Sequence, residues 1–87
     1  MLRIQRRTNG ETTFQLSGRL DTNNVFELQT QIASESKGRP IILDLKDLTL
    51  VDREAVRFLG EVESNGTELL NCPLYVSEWI RRERNAK

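Results

Sequence analysis

Two-residue alternation is the feature that most restricts this chain. In Phe14-Gln15-Leu16-Ser17, and again in Ile41-Ile42-Leu43-Asp44-Leu45, every second side chain is apolar and the intervening ones are mostly polar. Successive side chains of a strand point to opposite faces, so strands of this kind bury one face and wet the other. A parallel sheet covered on both faces would instead read as near-continuous apolar runs. The alternation predicts a sheet with helices mainly on one face. Ile41, Leu43 and Leu45 face the core, and Ile42 and Asp44 face away. Arg3, Gln5, Thr13, Gln15, Ser17 and Asp44 form the open, polar side.

The remaining elements follow in order. Leu2 and Ile4 alternate with Arg3 and Gln5 in a first strand. Asn9-Gly10 then favours a type I′ hairpin turn, whose two central residues both need φ > 0. The second strand passes Phe14 and Leu16 and ends at Gly18. Asp21, Thr22 and Asn23 can each cap a helix. Val25, Leu28 and Ile32 recur at helical spacing, with Phe26 and Ala33 widening the stripe. They predict a helix of about fifteen residues ending near Lys37-Gly38. Pro40 opens the third strand, Ile41 to Leu45, and Asp47-Leu48-Thr49-Leu50-Val51 reads as a connection. Asp52 caps a second helix carrying Ala55, Val56, Leu59 and Val62, which ends near Asn65-Gly66. A short strand, Glu68-Leu69-Leu70-Asn71, leads to a last helix opened by Pro73, with Tyr75, Val76, Trp79 and Ile80 on its apolar side. The order β-β-α-β-α-β-α predicts an α/β two-layer sandwich with a mixed four-stranded sheet. Strands joined through helices should be parallel by right-handed crossovers, and the first hairpin adds an antiparallel edge.

Composition narrows the chemistry. Eighty-seven residues suffice for one compact domain, expected to span residues 1–87. Thirteen basic residues balance thirteen acidic ones, so no net field favours nucleic acid or an anionic membrane. The basic end Arg81-Arg82-Glu83-Arg84 suits a helix C-terminus. No run is long and apolar enough to span a membrane, the start lacks a signal-peptide stretch, and one cysteine cannot form an internal disulfide. These features point to the cytoplasm. The absence of histidine removes the commonest general base and metal ligand. The glycines, at 10, 18, 38, 60 and 66, form no phosphate-binding loop. No catalytic set, cofactor or metal site is expected. Asp21, Asp44, Asp47 and Asp52 lie near strand ends, where capping and turn formation are the usual duties of aspartate.

Ligands of parallel α/β sheets meet the carboxyl ends of the strands. Two segments should converge there, Gly18-Arg19-Leu20-Asp21 and Leu50-Val51-Asp52-Arg53-Glu54. The second feeds a helix N-terminus, with unpaired N–H groups and partial positive charge. The same residues carry a family resemblance. Phe14-Gln15-Leu16-Ser17-Gly18-Arg19-Leu20-Asp21 resembles the "strand, then S/T-G-x-L/I-D" signature of STAS domains, the anti-sigma factor antagonist family. Ile41 to Asp52 is similar to their third strand and the "D-L-x-x-V-x-x-[IVM]-D" run that follows. The resemblance covers residues 2 to 80.

That resemblance implies a non-catalytic module of bacterial signalling and transcription regulation, docking on an anti-sigma factor kinase. It also implies a switch by phosphorylation of the Ser or Thr directly after the motif Asp. Asp52 matches that Asp, but Arg53 stands at the acceptor position, Glu54 follows, and Ala55 replaces the family's glycine. A Ser/Thr kinase cannot modify Arg53. Three readings of the turn stay open: a constitutive docking surface built on an Arg53–Glu54 charge pair, a carboxylate at Glu54 partly mimicking the phosphorylated state, or ordinary exposed residues of a first helical turn. Thr49 is the nearest alternative acceptor hydroxyl. The expected partner-binding residues are Asp21, Leu50, Asp52, Arg53 and Glu54. The alternatives are an accessory subunit of an ABC-type lipid-transport ATPase, a small-molecule-binding domain, and a homodimer through the open sheet face.

Overall fold

The computed structural model describes residues 2–35 and 40–85. A four-stranded sheet, in the order β1-β2-β3-β4, carries one layer of helices. Its strands are β1 (Leu2–Thr8), β2 (Thr12–Leu20), β3 (Ile41–Val51) and β4 (Glu68–Leu70). Its helices are α1 (Thr22–Ser34), α2 (Arg53–Ser64) and α3 (Leu74–Asn85). β1 pairs antiparallel with β2, and β2–β3 and β3–β4 are parallel. This is the mixed, one-sided α/β sandwich that the alternation predicts.

One core joins the layers. Phe14, Leu16 and Leu20 of β2 and Leu43, Leu45, Leu48 and Val51 of β3 pack against Leu28 of α1, Ala55, Val56, Phe58 and Leu59 of α2, and Val76 and Ile80 of α3. Full burial of each such leucine or phenylalanine stabilises the fold by roughly 1.5–3 kcal/mol relative to exposure. Ile42, 8% exposed, stands outside that cluster and lies on the opposite face.

Five local expectations are corrected. First, β3 does not stop at Leu45: Asp47 to Val51 continue the strand. Its pairing with β2 slips twice, between Gln15 and Ser17 and between Gly18 and Arg19, and each slip gives β3 one extra residue. Each extra residue shifts the side-chain phase, which is why Leu48 and Val51 join Leu43 and Leu45 in the core at a spacing that strict alternation hides. Second, β2 runs on to Leu20. Gly18 sits at the second slip with φ 94, a conformation suited to glycine, and lets the strand bend without ending. Third, the hairpin turn is not type I′. Thr8 pairs with Thr12, and Gly10 has positive φ while Asn9 does not. Fourth, Phe26 is 75% exposed and Ala33 is exposed, so the buried stripe of α1 is narrower than expected. α1 ends at Ser34 with Glu35 as its C-cap, and the expected stop at Lys37-Gly38 lies outside the described residues. Fifth, Tyr75 is 48% exposed, whereas Trp79 packs against the core.

Candidate functional site

The carboxyl ends of β2 and β3 deliver α1 and α2 side by side, because Arg19 pairs with Leu50 and Leu20 with Val51. Asp21 and Asp52, one residue beyond each strand, are the two N-caps. Asp21 Oδ1 accepts from the Asn23 N–H at 3.0 Å, and Asn24 Oδ1 accepts in return from the Asp21 N–H at 2.9 Å. The Asn24 amide also donates to the Arg19 carbonyl at 2.9 Å. The entry to α1 is thereby locked to the end of β2.

Asp52 has a double duty. Its Oδ1 accepts from the Ala55 N–H at 2.9 Å, capping α2. Its Oδ2 accepts from both the N–H and the hydroxyl of Thr22, each at 2.8 Å. One carboxylate therefore ties the first turn of α2 to the first residue of α1. Partial desolvation pushes the Asp52 pKa up, but the donors from Ala55, Thr22 and Glu54 outweigh it and hold the group below its ordinary value. A second tie runs between the strands: the Thr49 hydroxyl donates to the Gly18 carbonyl at 3.0 Å.

Of the three readings of the turn, the one built on an Arg53–Glu54 pair does not match the geometry. Arg53 Nε lies 3.4 Å from Glu83 Oε2 on α3, and Glu54 Oε2 lies 3.7 Å from Arg57 Nη1 one turn along α2. Glu83 also meets Arg57 Nε at 3.4 Å. Desolvation pushes Glu83 up, but Arg57 and Arg53 outweigh it and hold it below its usual range. Arg53 thus faces α3, and the Arg53–Glu54 pair is replaced by two separate engagements. Leu50 projects 53% exposed beside this turn. Sequence reasoning missed Thr22 as a bridge and Glu83 as a clamp. Nothing in local spacing links residue 22 to 52 or residue 83 to 53; the β2–β3 register brings the first pair together and the packing of α3 on α2 the second.

A groove of about 420 Å³ separates α2 from α3, with Val56 and Ile80 at its floor and Arg53, Arg57, Glu83 and Arg84 around it. Its cations are already engaged. Arg84 donates to the Gly60 carbonyl at 3.1 Å and to Glu63 at 2.9 Å. Among the described residues no three His, Cys, Asp or Glu side chains converge as a metal site would need. Asp44, on the open face, accepts from the Lys46 N–H and the Asn71 amide. Among the described residues no helix is long and apolar enough to cross a membrane.

A sheet with one helical layer, two aspartate-capped helices rising from adjacent parallel strands and an exposed turn after the second aspartate define a STAS-type module. The chain belongs to the STAS domain family, which it matches over residues 3–69. Its fold is shared with the anti-sigma factor antagonist SpoIIAA in its unphosphorylated form (TM-score 0.69, 21% identity, covering 94% of this chain and 83% of that one). It is shared too with an uncharacterised DUF3478-family protein of SpoIIAA-like fold from Shewanella loihica PV-4 (TM-score 0.59, 14% identity, covering 98% and 77%). A third structure, that of Mglu, aligns with a TM-score of 0.62 at 16% identity over 80% of this chain, which spans only 19% of Mglu. No curated protein sequence matches the chain.

Proposed function

We propose that this chain is a non-catalytic docking module, one STAS unit over residues 1–87, that acts in the cytoplasm without a phospho-switch at position 53. Its partner meets the corner formed by Asp21, Leu50, Asp52, Arg53 and Glu54. The partner class is a kinase-like ATPase of the anti-sigma factor type. The observation that carries this reading is the state of the turn: Asp52 holds two helix N-termini together, an arginine occupies the acceptor position, and Leu50 stands exposed beside it. A preformed corner with an apolar residue beside fixed charges suits recognition without prior modification.

The test is affinity capture from the native cell with the unmodified chain, Arg53→Asp and Arg84→Asp. Arg84 is a stringent control, because its substitution breaks an ion pair of the same α2–α3 groove, to Glu63, and a bond to the Gly60 carbonyl as well, whereas Arg53 loses only its pair with Glu83. Arg53→Asp should reduce recovery of the partner roughly tenfold and Arg84→Asp much less. Equal losses would remove the site assignment. Recovery of the ATPase of an ABC lipid-transport system, in place of an anti-sigma-type ATPase, would change the partner while keeping the docking corner.

A further inference from the structure

The side of the sheet away from the helices has a charge pattern that the docking corner does not use. The strand register orders it in rows. Arg7 lies beside Thr13, then Ile42, then Glu68. Gln5 lies beside Gln15, then Asp44, then Leu70. Arg3 lies beside Ser17, then Asp47. Leu2 and Ile4 pack on the core, so the pleat puts Arg3, Gln5 and Arg7 on the open face. Arg3 and Arg7 therefore stand at the β1 edge and carboxylates on the β3–β4 side, with Lys46 in the bulge between Asp44 and Asp47 and Arg19 on β2 beside Leu50, beyond the charged rows.

The ion pairs of the described residues lie on the helical side, where Glu27, Glu61, Glu78, Arg81 and Arg82 stay outside them. Arg6, Arg53, Arg57 and Arg84, all on the helical side, are paired to glutamates. Arg3, Arg7, Asp47 and Glu68 are in none of the ion pairs among the described residues.

We infer that the open sheet face self-associates: it docks a second copy of this chain, face to face, about a two-fold axis parallel to the strands. Such an axis places the β1 edge of each copy over the β4 edge of the other. Arg7 then meets Glu68 of the second copy, Gln15 meets Asp44, and Thr13 meets Ile42. Every contact occurs twice, as an isologous interface requires. The register that segregates the charges thus also makes the face complementary to itself. Aligned packing of two sheet faces is a standard geometry, with the strands within about 30° of each other. Strand spacing and rise give a footprint of roughly 400 Å², below the roughly 800 Å² per partner of stable interfaces. The dimer is accordingly weak, reversible and sensitive to salt. Its contacts, in the rows from Arg7 to Gln5, leave Asp21, Asp52, Arg53 and Glu54 at the helix N-termini free, with Leu50 at the far end of the open face beside Arg19, so it stands or falls apart from the docking reading.

The experiment is sedimentation velocity of the full chain from about 10 µM to about 1 mM, a range that brackets weak association. The unmodified protein should move toward twice the monomer mass, and added salt should reverse the shift. Arg7→Glu and Glu68→Arg should each weaken association roughly tenfold, because each puts two like-charge contacts into the dimer. The double variant carrying both exchanges restores opposite charges at both contacts and should recover the association; Glu78→Arg on α3 should not alter it. Circular dichroism confirms that each variant is folded. A monomer throughout the range overturns the inference. So does association that survives both single exchanges, or a double variant no better than the singles.

Discussion

Removing the Asp52 carboxylate should destabilise the protein more than the loss of an ordinary helix cap. An Asp-to-Ala change at an N-cap costs about 0.5–2 kcal/mol. Here the second oxygen also accepts two bonds from Thr22. Hydrogen bonds to charged groups contribute about 1.5–3 kcal/mol each, and the exposure of Thr22 reduces that to roughly 0.5–1 kcal/mol each. The sum for Asp52→Ala is about 1.5–4 kcal/mol, a large share of the stability of a domain this small. At about 4–8 °C per kcal/mol, Tm should fall by roughly 6–30 °C. Asp52→Asn should lie between, because its amide oxygen still accepts from Ala55 while its NH2 cannot accept from the Thr22 N–H. Thr22→Val, which removes only the hydroxyl, should cost about 0.5–1 kcal/mol. Urea unfolding followed by the fluorescence of Trp79 measures all three. A double-mutant cycle between Asp52→Ala and Thr22→Val should give a coupling of about 0.5–1 kcal/mol. Strict additivity, or an Asp52→Ala cost below about 1 kcal/mol, would refute the claim that this carboxylate joins the two helices.

Acid sensitivity should follow from the same carboxylate. Asp52 and Glu83 both hold their protons less tightly folded than unfolded. Between the two values the unfolded chain binds more protons, so stability rises with pH there. It is fully present above the unfolded values of about 4 and is lost as pH drops through the folded ones; Asp52→Asn should flatten the urea midpoint between pH 5 and pH 2.5. At Gly60, an added Cβ would meet Ile80 Cγ2 at 3.3 Å. Gly60→Ala should therefore be close to neutral, its helix-propensity gain of about 1 kcal/mol offset by that tight contact. Gly60→Leu should cost about 1–3 kcal/mol by forcing α2 and α3 apart, read as a fall in urea midpoint. Phe26→Ser should change stability by less than about 0.5 kcal/mol despite the apolar residue removed, because the ring is three-quarters exposed.

Element order and sheet sidedness were legible because they rest on periodicity, which is a local property. Phe14 and Leu16 announce β2, and Val25, Leu28 and Ile32 announce α1, whatever they pack against. The continuation of β3 was not legible. Two extra residues shift its phase, so Leu45, Leu48 and Val51 recur every third position and read as neither strand nor helix. Tyr75 and Phe26 were misplaced because a helical wheel gives the apolar stripe but not its width. That width depends on how closely α1 and α3 sit on the sheet. At the site, Asp21 and Asp52 were readable as caps from their position before helices. The bridge to Thr22 and the turn of Arg53 toward Glu83 were not, since both join residues about thirty positions apart, one through the β2–β3 register and one through the packing of α3 on α2.

The geometry also gives Asp52 a task that does not depend on the side chain at 53. A carboxylate that served only to prepare a hydroxyl at 53 would have no task beside an arginine. Instead both oxygens are engaged by backbone and hydroxyl donors of two helices, and none of those bonds involves the side chain at 53. Residue 53 is the first of α2, directed outward, and its chemistry can change without disturbing the cap. A phosphate there would add about two negative charges next to a carboxylate that already accepts three bonds. Arginine adds one positive charge and directs it to Glu83. The aspartate is thus an architectural requirement of bringing two helix N-termini together over parallel strands, and it holds whatever residue follows it.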